Sequence, residues 1–176
     1  MDVFEPIRVR DDVWLRPWRD EDAPALAGHA NNRNVSRNLR DHFPYPYTDA
    51  DAREFLARRV SQAIPENLAI EAGGGAAGGI ALRSGQDVNR GTAEIGYWLA
   101  EPHWGRGIMT EAARAITAYG IERLSLRRIE AGVFERNLAS ARVLEKAGYV
   151  LEGRLRRAVI KDGEVMDTLV YAYVRP

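Results

Sequence analysis

AEIGYWLAEPHWGRGIM, residues Ala93 to Met109, followed by TEAARAITAYGIERL, is the stretch on which the reading of the fold turns. Apolar residues alternate through AEIGYWL, a strand signature, and a helical pattern begins beyond it. Between the two lies a loop bearing Pro102, Gly105 and Gly107. The first N–H groups of a helix have no intrahelical partner, and the helix dipole favours negative charge there. A strand that enters a helix through glycines therefore predicts an anion site. Gly105 and Gly107 clear side chains from the donors, and Arg106 adds a cation.

Upstream, Val13 to Trp18 reads as a first strand, and Asp20 as the cap of a helix reaching about His29. Asn31 to Leu39 predicts a short second helix, and RDHFPYPY (Arg40 to Tyr47) a loop, because Pro44 and Pro46 turn their predecessors away from helix. Thr48 caps an amphipathic helix, DADAREFLARRVSQA, with Ala52, Phe55, Leu56 and Val60 toward the core. Two strands, Asn67 to Ala72 and Gly79 to Arg83, flank a glycine turn, and Thr92 to Ala100 is a third. Downstream come a strand at Arg127 to Phe134, a helix at Leu138 to Ala147 and a strand at Tyr149 to Ile160. Asp162-Gly163 then turns into a last strand, Glu164 to Val174. The expected fold class is α/β (α+β): a mixed, mostly antiparallel seven-stranded sheet with helices on both faces, forming a single domain over residues 1–176.

The 176 residues suffice for one full core. Lys+Arg and Asp+Glu balance at 25 each, which gives no electrostatic case for nucleic acid or a membrane surface as the main partner. The absence of cysteine excludes an acyl-cysteine intermediate. His29, His42 and His103 lack metal-ligand spacing, so no metal is expected. The N-terminus carries no signal-peptide pattern and no stretch reaches the length of a membrane span, so the expected compartment is the cytoplasm. Gly73, Gly75 and Gly78 satisfy G-x-G-x-x-G after a strand, but the fingerprint needs a helix immediately afterward and strand pattern follows instead. A hairpin turn is the expected reading.

AEIGYWL, HWGRGIMTEA and NLASARVLEKAGY together resemble the GNAT superfamily of N-acetyltransferases, and within it the RimJ/RimL type that acetylates ribosomal-protein N-termini. The resemblance runs from Val13 to Val174. It implies acetyl-CoA as co-substrate, with its pyrophosphate on the loop amides at Gly105 and Gly107, although Pro102 stands where the family has Gln or Arg. Trp98, Leu99, Trp104, Gly105, Arg106, Gly107, Ile108, Met109, Asn137 and Ser140 are the implied cofactor-binding positions. Asn137 matches the family's pantetheine-holding Asn; as a residue, it could equally cap the following helix. The tyrosine acid that many members carry is replaced by Leu144, and Ser140 matches the serine implied to protonate the departing thiolate in RimL-type members.

Glu94 is the candidate general base, since a neutral amine is needed and an α-amine has a pKa near 8. A structural ion pair with an arginine is its alternative, and Glu130 is the reserve. His42, Phe43, Tyr45 and Tyr47 fall in the region that lines the acceptor site in this family, or they pack a loop; His103 reads as a surface or cofactor-edge residue. The expected reaction is direct attack of an amine on acetyl-CoA in a ternary complex, with backbone N–H groups near Trp98 to Ala100 as the oxyanion hole. The expected acceptor is a peptide or protein N-terminus. A polyamine or aminoglycoside acceptor, or a non-catalytic acyl-CoA sensor, stands beside it. The expected assembly is a monomer or homodimer.

Overall fold

The computed structural model describes residues 4–59 and 67–175; Val60 and the end of the helix expected to contain it lie outside them. Eight strands follow the order β1-β2-β3-β4-β5-β6-β8-β7. The expected seven become eight because Ile7–Arg10 (β1) pairs antiparallel with Val13–Arg16 (β2) around Asp11 and Asp12. No residue of β1 is fully buried, so its apolar alternation is weak and the hairpin was not legible as one.

Contacts group the chain into two compact units. One combines residues 1–81 and 97–108, the other 82–96 and 109–176.

In the first unit, β2 pairs with Asn67–Ala72 (β3), which pairs with the first part of Gly75–Ser84 (β4). Gly73 and Gly74, both left-handed at φ 65° and 85°, make the two-residue turn between them. The glycine run is thus a hairpin, and β4 continues as strand where a dinucleotide site would need a helix. Asp20 does not cap the first helix. It opens a short 3-10 turn, and Ala23–Ala30 (α1) follows with no side-chain cap from Asp22. The Asp22 carboxylate is committed elsewhere: buried Arg16 donates to both of its oxygens at 2.8 Å and also to Glu71. Asn32 Oδ1 accepts the Asn34 N–H at 2.8 Å and starts the single turn Arg33–Ser36 (α2), shorter than expected. Thr48 caps Asp49–Ala57 (α3) as expected, and Asp51 answers it to complete a capping box. Trp18, Leu26, Tyr47, Ala52, Leu56 and Ala69 make the core here.

The second unit holds most of Thr92–Leu99 (β5), Ile108–Arg123 (α4, from Met109 onward), Arg128–Phe134 (β6), Leu138–Lys146 (α5), Val150–Lys161 (β7) and Glu164–Val174 (β8). Ile129, Ala131 and Val133 are buried while Glu130 and Gly132 face solvent, the period of two expected of a half-covered strand. α4 lies close against the sheet at Gly120, where a Cβ would come within 2.8 Å of Leu82 Cδ1. Asp162 and Gly163, at φ 55° and 77°, form the predicted β7–β8 turn.

Candidate active site

β5 departs from its parallel neighbour early. Thr92, Ala93 and Glu94 register with Arg128, Ile129 and Glu130, while β5 runs on to Leu99 and β6 to Phe134.

At its far end β5 enters the glycine loop. Ala100 N–H donates to Ala77 O at 2.7 Å, and a 3-10 turn over Glu101–His103 reverses the chain. Trp104 Nε1 donates to Leu99 O at 2.7 Å, so an indole that is 45% exposed still braces the loop on the strand. Gly105 and Gly107 are left-handed at φ 72° and 77°, and a Cβ at Gly105 would meet nothing within 4 Å. Gly105 to Gly107 are exposed, whereas the Ile108 and Met109 side chains are buried, so only their backbone can serve a ligand. Arg10 Nη1 donates to Arg106 O at 3.1 Å. The Glu101 carboxylate accepts from Asn32 Nδ2 at 2.7 Å and from Asn34 Nδ2 at 3.1 Å, and these bonds hold its pKa below the usual carboxylate value.

One part of the expected oxyanion hole is corrected. Ala100 N–H is spent on Ala77 O. Successive N–H groups along a strand point to opposite edges, so Trp98 N–H shares that direction and Leu99 N–H points the other way.

Trp98 is a packing residue. A Cβ on Gly78 would come within 2.4 Å of its carbonyl oxygen, one on Gly79 within 2.9 Å of its indole Nε1, and Phe43 meets its ring edge to face at 5.6 Å. In the Pro-rich loop, Tyr47 is only 5% exposed and its hydroxyl is pushed up to about 12, chiefly by burial. His42 and Tyr45 are exposed, with Arg33 over the Tyr45 ring at 5.5 Å, and Phe43 is half-buried. His103 is half-buried 6.3 Å from His29.

In the second unit, Glu94 is half-buried and Arg83 Nη1 lies 3.5 Å from its Oε2. Arg83 could not be singled out from the sequence, because only the tertiary structure brings it to Glu94. Its guanidinium lies over Gly96, where a Cβ would be 3.1 Å from Nη2. Glu130 is held by Arg128 at 3.1 Å, and Arg128 also grips Glu152 at 2.6 and 2.9 Å. These pairs border a cavity of about 320 Å³ lined by Arg83, Asn89, Thr92, Glu94, Arg128 and Glu130, among others. Asn137 Oδ1 accepts the Ser140 N–H at 3.3 Å, the helix cap of α5; Ser140 is half-buried.

Residues 12–150 match the family described as "Acetyltransferase (GNAT) domain". The chain belongs to the GNAT acetyltransferases. A Bacillus subtilis GNAT relative, provisionally named ribosomal N-acetyltransferase YdaF, is 36% identical over 175 residues, 96% of this chain and 94% of that one. The Escherichia coli ribosomal-protein-serine acetyltransferase is 36% identical over 83 residues, 47% of this chain and 46% of its own. For several curated relatives, this one included, the match spans about half their length. Mycobacterium smegmatis RimJ, solved with a CoA-disulfide, superposes with a TM-score of 0.82 at 26% identity, over 97% of this chain and 86% of that one. This GNAT chain is therefore an N-acetyltransferase. Among the described residues no helix is long and apolar enough to cross a membrane, and no group of three or more acidic or histidine side chains could hold a metal ion.

Proposed function

We propose that this GNAT enzyme transfers the acetyl group of acetyl-CoA to the α-amine of a protein or peptide N-terminus. The observation that carries the cofactor half is the exposed, left-handed Gly105–Gly107 turn at the open start of α4. Backbone amides at Gly105 to Met109 take the pyrophosphate, and Arg106 adds its charge. Leu99 N–H polarises the thioester carbonyl. Glu94, or a water it orders, removes the proton from the acceptor ammonium; the amine nitrogen bonds to the carbonyl carbon, the carbon–sulfur bond breaks, Ser140 supplies its hydroxyl proton to the CoA thiolate, and the serine oxygen recovers a proton from the nitrogen as it becomes the amide. Asn137, its Oδ1 committed to the α5 cap, keeps its Nδ2 donors for the pantetheine carbonyls.

The cavity beside Glu94 supports a peptide over a polyamine or aminoglycoside. Each of its carboxylates is matched by a guanidinium, Glu94 by Arg83 and Glu130 by Arg128, whereas a polycation needs uncompensated negative charge. The analogy with the E. coli ribosomal-protein-serine acetyltransferase and YdaF supports a ribosomal-protein N-terminus as the acceptor class, and the proposed compartment is the cytoplasm. The test is acetyl-CoA calorimetry together with thiol release over a panel of peptides, polyamines and aminoglycosides. Thiol release with peptides alone is expected. Release with polyamines alone overturns the acceptor, and tight acetyl-CoA binding with no release anywhere makes the protein a sensor.

A further inference from the structure

The β7–β8 ladder is interrupted near its middle. The register passes from Leu155 opposite Thr168 to Val159 opposite Met166, so Arg156, Arg157 and Ala158 bulge out across from the single residue Asp167. Arg157 sits at φ 53°, a left-handed backbone uncommon for a long side chain. Such conformations persist where the surroundings over-determine them. Here Asp167 Oδ1 accepts the Arg157 N–H at 2.7 Å, and Oδ2 takes Arg154 Nε.

Asp167 is itself tied to the β6–α5 turn. Glu135 N–H donates to Asp167 O at 3.1 Å, Asp167 N–H donates to Glu135 Oε1 at 2.9 Å, and Arg154 also reaches Glu135. The bulge is thereby fastened beside the turn that leads into Asn137 and Ser140. Of its arginines, Arg154 is matched by Glu135 and Asp167. Arg156 and Arg157 are exposed, and among the described residues neither side chain forms an ion pair. Leu155 beside them is 54% exposed.

We propose that the Arg156–Arg157 bulge docks an acidic stretch of the acceptor chain lying a few residues behind the reacting amine. The proposal rests on the reading that the acceptor is a peptide N-terminus. A chain that leaves Ser140 along the turn fastened to Asp167 meets two exposed cations, neither held in an ion pair among the described residues, and one apolar side chain. Arg156 also acts at longer range on the Asp167 carboxylate, which Arg154 already grips. The chain as a whole is electrically balanced, so the attraction is local to the bulge. Charges and bulges on an edge strand also discourage pairing with other sheets, but that service is indifferent to sign. Docking requires positive charge.

The experiment compares wild type with Arg156→Glu/Arg157→Glu, Arg156→Lys/Arg157→Lys and, as a distant control, Arg123→Glu. Peptides share their N-terminal residues and differ in a following acidic, neutral or basic tail. Wild type is expected to favour the acidic over the neutral tail about tenfold in kcat/KM, through KM, with the preference fading as salt rises. The Glu pair should abolish or reverse it, while the Lys pair and Arg123→Glu keep it. Equal kcat/KM on all tails in wild type, or an equal loss on all tails in the Glu pair, overturns the proposal. Anisotropy of a labelled acidic peptide separates it from the reading beneath it. Binding to wild type but not to the Glu pair, without turnover, upholds docking and sinks peptide acetylation; neither binding nor turnover overturns both.

Discussion

Asn137 Oδ1 accepts the backbone N–H of Ser140 at 3.3 Å, so one side chain both starts α5 and fixes the backbone of the proposed proton donor. Removing it should show in two readouts. Asn137→Ala is expected to cost about 1 kcal/mol of stability. Asn137→Asp keeps a capping acceptor but loses the Nδ2 donors, so it should restore most of the melting temperature and leave acetyl-CoA affinity low. Recovery of both by Asp would reduce Asn137 to a helix cap.

Ser140→Ala should leave acetyl-CoA affinity within a few-fold of wild type and lower kcat by about 10²-fold, the scale of one lost general acid. Pre-steady-state thiol release checks it. An unchanged kcat removes Ser140 from the chemistry.

Glu94→Gln should depress kcat/KM most strongly near neutral pH. The deficit is expected to shrink as pH rises past about 8, where an α-amine is increasingly deprotonated without help. Arg83→Gln, which removes the partner at 3.5 Å, should change KM and the pH profile together. A deficit in Glu94→Gln that is constant across pH would mean a structural role.

Gly78→Ala tests the packing beneath the loop. Its new Cβ would lie 2.4 Å from Trp98 O and 3.0 Å from Leu99 Cα, both backbone, so neither can swing aside. A loss of about 1–3 kcal/mol in denaturant unfolding is expected, with acetyl-CoA affinity falling as well because Leu99 leads into the loop. Gly75→Ala, where nothing lies within 4 Å, is the control.

His103 carries a pH prediction. Burial first, then Arg106 and His29, hold its pKa below the ordinary 6.5, against a weaker opposing pull from Asp12. The unfolded chain therefore takes up the proton at higher pH than the folded one. Stability should be full above about pH 6.5 and decline as pH falls from there toward the folded pKa. Thermal melts from pH 7.5 down to 5 check this, and His103→Asn should flatten the slope. A slope unchanged in the variant assigns the effect to other groups.

Much of the fold was legible because its signals are local. The strand at β6, the Thr48 cap and the Asp162-Gly163 turn each depend on residues a few positions apart, and each stands as expected. The Gly105–Gly107 turn into α4 belongs with them. The N-terminal hairpin has no counterpart in the expectation because an exposed strand leaves little pattern, and the first helix starts differently because Asp22 answers to Arg16 and, through it, to Glu71 far along the chain.

The sequence by itself determined the family and the glycine loop and nominated Glu94, Asn137 and Ser140 as candidates, since these are written in short contiguous blocks. Only the tertiary structure decided that the Ala100 N–H just beyond β5 is already spent, that Arg83 is brought to Glu94, and that Asp167 pins a strained arginine bulge against the Glu135 turn. Those relationships are set by strand register. Register is fixed by how whole faces pack, and no local run of residues records it.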